Sequence, residues 1–322
     1  MTAPLASTLP PLERNLPRGR TLGWLAALAV ALVGLPLVLP GYQVSIAAQI
    51  LIFSVLAMSI DVLAGFAGRT PLCHGAIFGA STYVVIYWTT TLGGSLWAGA
   101  LLGILAATAL AALFALLAIR TSGVYFLLLT LALGMIVWGV CLRWTSVTGG
   151  ENGLRGAGRP AFLADHVSFY YAVLAVVAPV TFAIWRFVHS PFGMTLRGIR
   201  DSESRMRALG YNVPLHLFLA FTISGAFAGV AGALYAVFND FVSPSTVQLS
   251  QSVAGLLMAI TGGIGTLLGA FVGAACIILL ENVVSLFTAR WPTVLGLAFI
   301  LIMIFAPEGI VGRARLALAR RR

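Results

Sequence analysis

Residues 252–287 read SVAGLLMAITGGIGTLLGAFVGAACIILLENVVSLF, an apolar run broken by Gly262-Gly263-Ile264-Gly265-Thr266 and holding one charged side chain, Glu281. Taken as two helices, the first piece, 252–262, makes only about 16 Å at 1.5 Å per residue. A hydrocarbon core about 30 Å thick asks for roughly 20 helical residues. A piece this short reaches across only as a broken helix enclosed by protein, because free backbone groups find no water in lipid. The number of crossings turns on this stretch.

The rest of the chain calls for a membrane. Of 322 residues, 60% are hydrophobic and 9% charged, with mean hydropathy +1.01; soluble domains carry about 25% charge. The formal charge of +10 sits in short segments between apolar runs, as in a polytopic membrane protein rather than a nucleic-acid binder. All nineteen basic residues are arginine. Without lysine there is no Walker A loop and no Schiff-base chemistry, so any ATP hydrolysis belongs to another chain. Cys73, Cys141 and Cys276 lack metal-type spacing and read as small buried hydrophobes.

Spans are expected near 22–40, 44–66, 74–92, 95–118, 121–141, 168–188 and 215–238, then the broken stretch 252–287 and a last run, 293–307. Trp24, Trp97, Trp144, Trp185 and Trp291 fall at span ends, as an aromatic belt requires. Arginine sets orientation: an N-terminal arm, 1–21, the segment 186–207 and the tail 313–322 belong on the cytoplasmic side. Six spans between arm and segment satisfy this, and Arg69 and Arg120 then fall inside as well. After the seventh span the chain is outside, so returning the tail needs an odd number of crossings. Splitting 252–287 at the glycines supplies three. The expected fold is all-α, with about ten crossings, eight or nine being the competing values. A single membrane domain, 22–312, holds a cytoplasmic loop at 189–214.

That loop carries Ser190-Pro191-Phe192-Gly193-Met194-Thr195-Leu196-Arg197-Gly198-Ile199-Arg200-Asp201-Ser202-Glu203-Ser204-Arg205-Met206-Arg207-Ala208-Leu209-Gly210 before Pro214. It predicts a short amphipathic helix with Thr195 as N-cap and Gly210 as its left-handed stop. Leu196, Ile199, Met206 and Leu209 recur on one side, and Asp201–Arg205 and Glu203–Arg207 stand in the favourable acid-first order. Lying along the membrane, this helix offers an apolar ridge to a partner's cleft. A plain basic loop obeying the positive-inside rule is the alternative on pattern alone.

The segment resembles the coupling loop of ABC-transporter permeases. Leu63-Ala64-Gly65-Phe66-Ala67-Gly68-Arg69-Thr70-Pro71, Thr121-Ser122-Gly123-Val124-Tyr125-Phe126, Thr148-Gly149-Gly150-Glu151-Asn152-Gly153-Leu154, Ala220-Phe221-Thr222-Ile223-Ser224-Gly225 and Gly262-Gly263-Ile264-Gly265-Thr266-Leu267-Leu268-Gly269 complete a series similar to branched-chain amino acid permeases of the LivM type, in order from about 45 to 312. The chain departs from that pattern at Arg69, usually an amide, at Cys73, usually aliphatic or Gly, and at Asp61, often Asn. The resemblance implies an inner-membrane importer subunit working by alternating access. Its partners would be a second, LivH-type permease, two cytoplasmic ATPases and a periplasmic solute-binding protein. Arg200, Asp201, Glu203, Arg205, Ala208, Leu209 and Gly210 would couple to the ATPase; no cofactor is implied.

For the solute path the candidates are Gly262, Gly263 and Gly265, with Glu281. Backbone freed at a helix break lines a cavity or is covered by protein. The ridges Gly75-x3-Gly79, Gly225-x3-Gly229 and Gly265-x3-Gly269-x3-Gly273 read as close helix packing. Asp61 falls about 26 Å along its span, at the inner interface, and reads as an anchor. Asp240 and Arg143 fall at solvated outer ends, and His74, His166, His189 and His216 near span ends. With no acid at mid-bilayer, a proton- or ion-coupled carrier working alone is the weaker alternative. No catalytic set supports an enzyme acting on lipid-phase substrates.

Overall fold

The computed structural model describes residues 32–288, 290–305 and 309–313. The N-terminal arm, the first ten residues of the span at 22–40 and the tail beyond Arg313 lie outside the described residues.

Residues 32–38 are helical. The long helices that follow are α1 (Gly41–Asp61, extended by a π-helical turn, Val62–Phe66), α2 (His74–Thr90), α3 (Leu96–Ala118), α4 (Gly123–Arg143) and α5 (His166–Val188). Two short helices, α6 (Pro191–Asp201) and α7 (Glu203–Ala208), precede α8 (Val213–Asn239), α9 (Leu249–Gly262), α10 (Leu267–Ser285) and α11 (Trp291–Phe305). The protein is an all-α polytopic membrane protein. Among the described residues six helices are long and apolar enough to cross a bilayer, α1 with its π-helical turn, α3, α4, α5, α8 and α10. The others are shorter: α2 has 17 residues, α9 14 and α11 15.

Caps fix where several of these begin. Ser95 accepts from Ala98 N–H at the start of α3, Asp165 from Val167 and Ser168 at α5, and Asn212 from Leu215 at α8. Small residues then set the packing. A Cβ on Gly225 would collide with that of Ala111, and one on Gly229 would meet Ala107 at 2.7 Å, so α8 lies almost backbone to backbone on α3. Ser81 and Thr82 of α2 donate to the carbonyls of Gly229 and Gly232 at 2.7 and 2.9 Å. Around α1, whose second half is wholly buried, α2, α5, α8, α9 and α10 gather into one core.

A two-residue pairing closes the end opposite the 189–214 loop. Strand β1 (Leu154–Arg155) lies antiparallel to β2 (Phe241–Val242), Leu154 facing Val242. Beside it Arg159 donates to the Val237 and Phe238 carbonyls and sits 4.4 Å over the Phe169 ring. Asp240, expected to be merely solvated, is instead structural. It adopts φ 51° and accepts from Gly158 N–H at 3.1 Å, pinning the long loop to the end of α8.

Candidate functional site

The 189–214 loop forms two helices where one was expected. α6 begins at Pro191, capped by Ser190 on Gly193 N–H at 3.3 Å, and Thr195 lies within it, donating to the Pro191 carbonyl. Ser202, extended at φ −163°, interrupts the helix and caps α7 on Arg205 N–H. The break turns Asp201 away from Arg205, so their expected pair does not form. Asp201 instead meets Arg200 at 3.4 Å, while Glu203–Arg207 forms at 2.5 Å. Gly210 ends α7 as expected. At φ 85° it donates to Arg207, and Tyr211 donates to Met206, the two bonds of a Schellman ending. Pro214 opens α8 rather than merely stopping the helix.

The expected apolar ridge faces the opposite way. Leu196, Ile199 and Met206 are buried against the membrane body, and Leu209 alone is exposed, at 67%. With the ridge turned inward, Ala208, Leu209, Gly210 and Tyr211 form an exposed knuckle flanked by Arg205 and Arg207, and Met194 on α6 is exposed at 67%. Three arginines fasten the loop to the body. Arg69, 7% exposed, pairs with Glu203 at 2.8 Å and also donates to the Thr121 carbonyl; Arg197 lies 5.1 Å over the Phe66 ring. The third, Arg200, donates from Nη1 to the Gly65 carbonyl at 2.6 Å.

Gly65 is where the glycine break is held. The π-helical turn of Val62–Phe66 packs on the α9–α10 junction so closely that a Cβ on Gly65 would lie 2.5 Å from Gly265 N and 2.7 Å from its Cα. Asp61, one turn earlier, accepts from Gly265 N–H at 2.6 Å. Thr266 donates to the Gly263 carbonyl, and Gly263 and Gly265 have φ 117° and 79°, a backbone that glycine adopts freely. Gly262 is pressed on the Gly269 carbonyl, and Gly309 on Gly263. The break is thus a tight, buried hairpin joint, and Asp61 is its clasp. Only Ile264 at the tip is exposed, at 46%. Glu281, half-buried on α10, has no hydrogen bond or ion pair among the described residues.

At the other end of α9 stands a polar segment, Ser243-Pro244-Ser245-Thr246-Val247-Gln248-Leu249-Ser250-Gln251-Ser252. It runs from β2 through a 3₁₀ turn, Pro244–Val247, into the helix. Thr246 and Val247 press on Gly79, and Ser252 accepts from Gly75 N–H at 2.9 Å. Gly79 lies about 16 Å along α2 from Thr90 at 1.5 Å per residue, roughly half the thickness of a hydrocarbon core. Irregular polar backbone is thus packed on α2 well inside its ends, and Ser245, Gln248 and Ser250 are exposed.

Over residues 42–307 the chain matches the family model described as branched-chain amino acid transport system / permease component. The chain belongs to this permease family. It is 28% identical over 319 residues to the high-affinity branched-chain amino acid transport permease LivM of Salmonella typhimurium, covering 91% of this chain and 75% of that one. Identity and coverage are the same for LivM of Escherichia coli. The autoinducer 2 import permease LsrC of Klebsiella pneumoniae is 30% identical over 193 residues, 56% of this chain and 54% of that one. No solved structure matches.

Within this permease, the residues expected to act together split into groups. Ala208, Leu209, Gly210 and Arg205 face outward, and Arg200 and Glu203 hold the loop to the body. Gly262, Gly263 and Gly265 form the joint, away from Glu281. Sequence reasoning anticipated an anchor at Asp61 but not its bond to Gly265, 204 residues on. It did not single out the polar segment before α9. The available signal was a run of serines and glutamines without charge, directly before an apolar helix too short to cross.

Proposed function

We propose that the protein is the membrane subunit of an ATP-driven importer in a bacterial inner membrane, with both termini cytoplasmic and about ten crossings. It passes small amino acids, branched-chain ones first, by alternating access. Two cytoplasmic ATPases drive it, a LivH-type permease pairs with it, and a periplasmic binding protein delivers the solute.

The observation that carries this reading is the loop itself. Its exposed knuckle, residues 208–211, is backed by a helix pair that is bolted through Arg69, Arg197 and Arg200 to α1 and the glycine joint. A rigid loop of this kind transmits a push, whereas a loop present only for its charge needs no such fastening. The path runs along the polar segment, where exposed Ser245, Gln248 and Ser250 line water at mid-membrane, because irregular backbone does not face lipid. Hydroxyl and amide groups suit the zwitterionic end of an amino acid, and the apolar walls suit an aliphatic side chain. Gly262, Gly263 and Gly265 serve as the inner gate's hinge, with Glu281 toward the outer vestibule.

The test is copurification. The tagged chain, coexpressed with its candidate partners, should bring down the ATPases and the second permease, and replacing Leu209 and Tyr211 by Asp should release the ATPases alone. Transport by the isolated chain, with no ATPase bound, would refute the proposal.

A further inference from the structure

Resting on the importer reading, we infer that Asp61 and Arg200 form a two-position latch between the coupling loop and the inner gate. In the observed position Asp61 Oδ1 holds Gly265 N–H, and Arg200 holds the Gly65 carbonyl one helical turn away. Asp61 Oδ2 is buried and has no hydrogen-bond partner among the described residues. Asp61 as a whole is only 1% exposed. A carboxylate oxygen left bare in the interior is costly and asks for a donor. Arg200 is the donor at hand. Its guanidinium already reaches the Gly65 carbonyl, and the site of a Cβ on Gly65 abuts Asp61 Oδ1. Its remaining bonds, from Nε and Nη2 to Asp201 at 3.4 Å, are long, and both partners there are exposed.

In the second position the loop moves with the ATPase, and Arg200 leaves the Gly65 carbonyl for Asp61 Oδ2. Turning toward the guanidinium, the Asp61 carboxylate swings Oδ1 off Gly265 N–H. The hairpin tip is thereby freed from the π-helical turn, and the inner gate opens. Arg69 and Glu203 keep the loop attached throughout, so the movement pivots α6 rather than detaching it. Asp61 is a positioning residue in this scheme and touches no solute.

The experiment uses the assembled transporter in proteoliposomes, with the binding protein and L-leucine as the probe. It compares D61N, R200Q, R200K and D61N/R200Q for leucine moved per ATP hydrolysed. D61N keeps the acceptor for Gly265 but cannot seat the guanidinium. It is expected to lower the transport-to-hydrolysis ratio about tenfold, within the usual range of coupling between sites, with unchanged elution on size exclusion. R200Q should match it, the double variant should be no worse than either single one, and R200K should retain part of the coupling. A wild-type ratio in D61N overturns the latch, since Oδ2 then needs nothing more than a proton. Losses that multiply in the double variant also overturn it. If D61N does not assemble, R200Q against R200K decides, and a wild-type ratio in R200Q refutes the scheme. Failure of the importer reading looks different: the wild-type assembly shows no binding-protein-stimulated hydrolysis, and the latch falls with it.

Discussion

Glu203 shows how much one side chain can hold. It pairs with Arg69 at 2.8 Å and with Arg207 at 2.5 Å, and the two partners differ in exposure, 8% against 61%. An exposed i,i+4 pair is worth a few tenths of a kcal/mol, whereas stripping a buried guanidinium of its partner costs more. E203A is therefore expected to destabilise the solubilised protein by about 1–3 kcal/mol. R207A should stay within about 0.5 kcal/mol. Thermal unfolding in detergent checks both; equal midpoints for the two variants would show that the Arg69 contact is not formed. Arg69 stood out in the sequence as a charge beside Gly68, but its partner 134 residues away did not. Spacing exposes neighbours on one helix, and this pair joins two elements.

Helix positions were legible because apolar runs and caps are local. The expected spans match α1 to α5 and α8 to α11 to within a few residues. The loop helix was misplaced because Ser190, Thr195 and Ser202 are equally good caps by residue type; Ser190 and Ser202 cap, and Thr195 lies inside α6. Of the glycine ridges, Gly225 and Gly229 pack helix on helix as expected, whereas Gly79 meets the irregular Thr246–Val247 backbone and Gly265 lies in the turn; Gly225 gives a test. G225A forces a methyl group onto Ala111 Cβ and should lower the thermal midpoint by an amount equivalent to about 1–3 kcal/mol. Adding A111G should restore part of the loss; independent, additive effects would mean that α8 and α3 are not in contact there. Gly210 tests the partner surface instead. A Cβ there meets nothing within 4 Å, so the fold gives a side chain room, at a cost of about 1 kcal/mol for the left-handed backbone. G210W is expected to assemble as a permease yet lose binding-protein-stimulated hydrolysis, while G210N, which tolerates that backbone, should keep most of it. Intact hydrolysis in G210W would place the ATPase contact elsewhere.

For the molecule as a whole, composition points to lipid as the solvent, and arginine sets an expected topology that labelling can check. Cys73 and Cys141 are buried and Cys276 half-buried, so the background is low. S204C and I264C, on the coupling loop and the hairpin tip, should react with a membrane-impermeant maleimide from the cytoplasmic side only. A164C, in the long outer loop, should react only from the other side. Labelling of I264C and S204C from opposite faces would break the three-crossing arrangement of the C-terminal part. What composition and pattern did not reveal were the contacts that tie the 189–214 loop and the glycine joint to α1, Arg200 to Gly65 and Asp61 to Gly265, since these exist only once distant helices have packed. The most direct measurement is leucine uptake into proteoliposomes holding this chain with its partner permease and ATPases, followed with and without ATP inside the reaction. Uptake that requires ATP and the binding protein, and stops when the ATPases are omitted, is the expected result. Uptake by this chain alone, driven by a proton gradient without any ATPase, would contradict it.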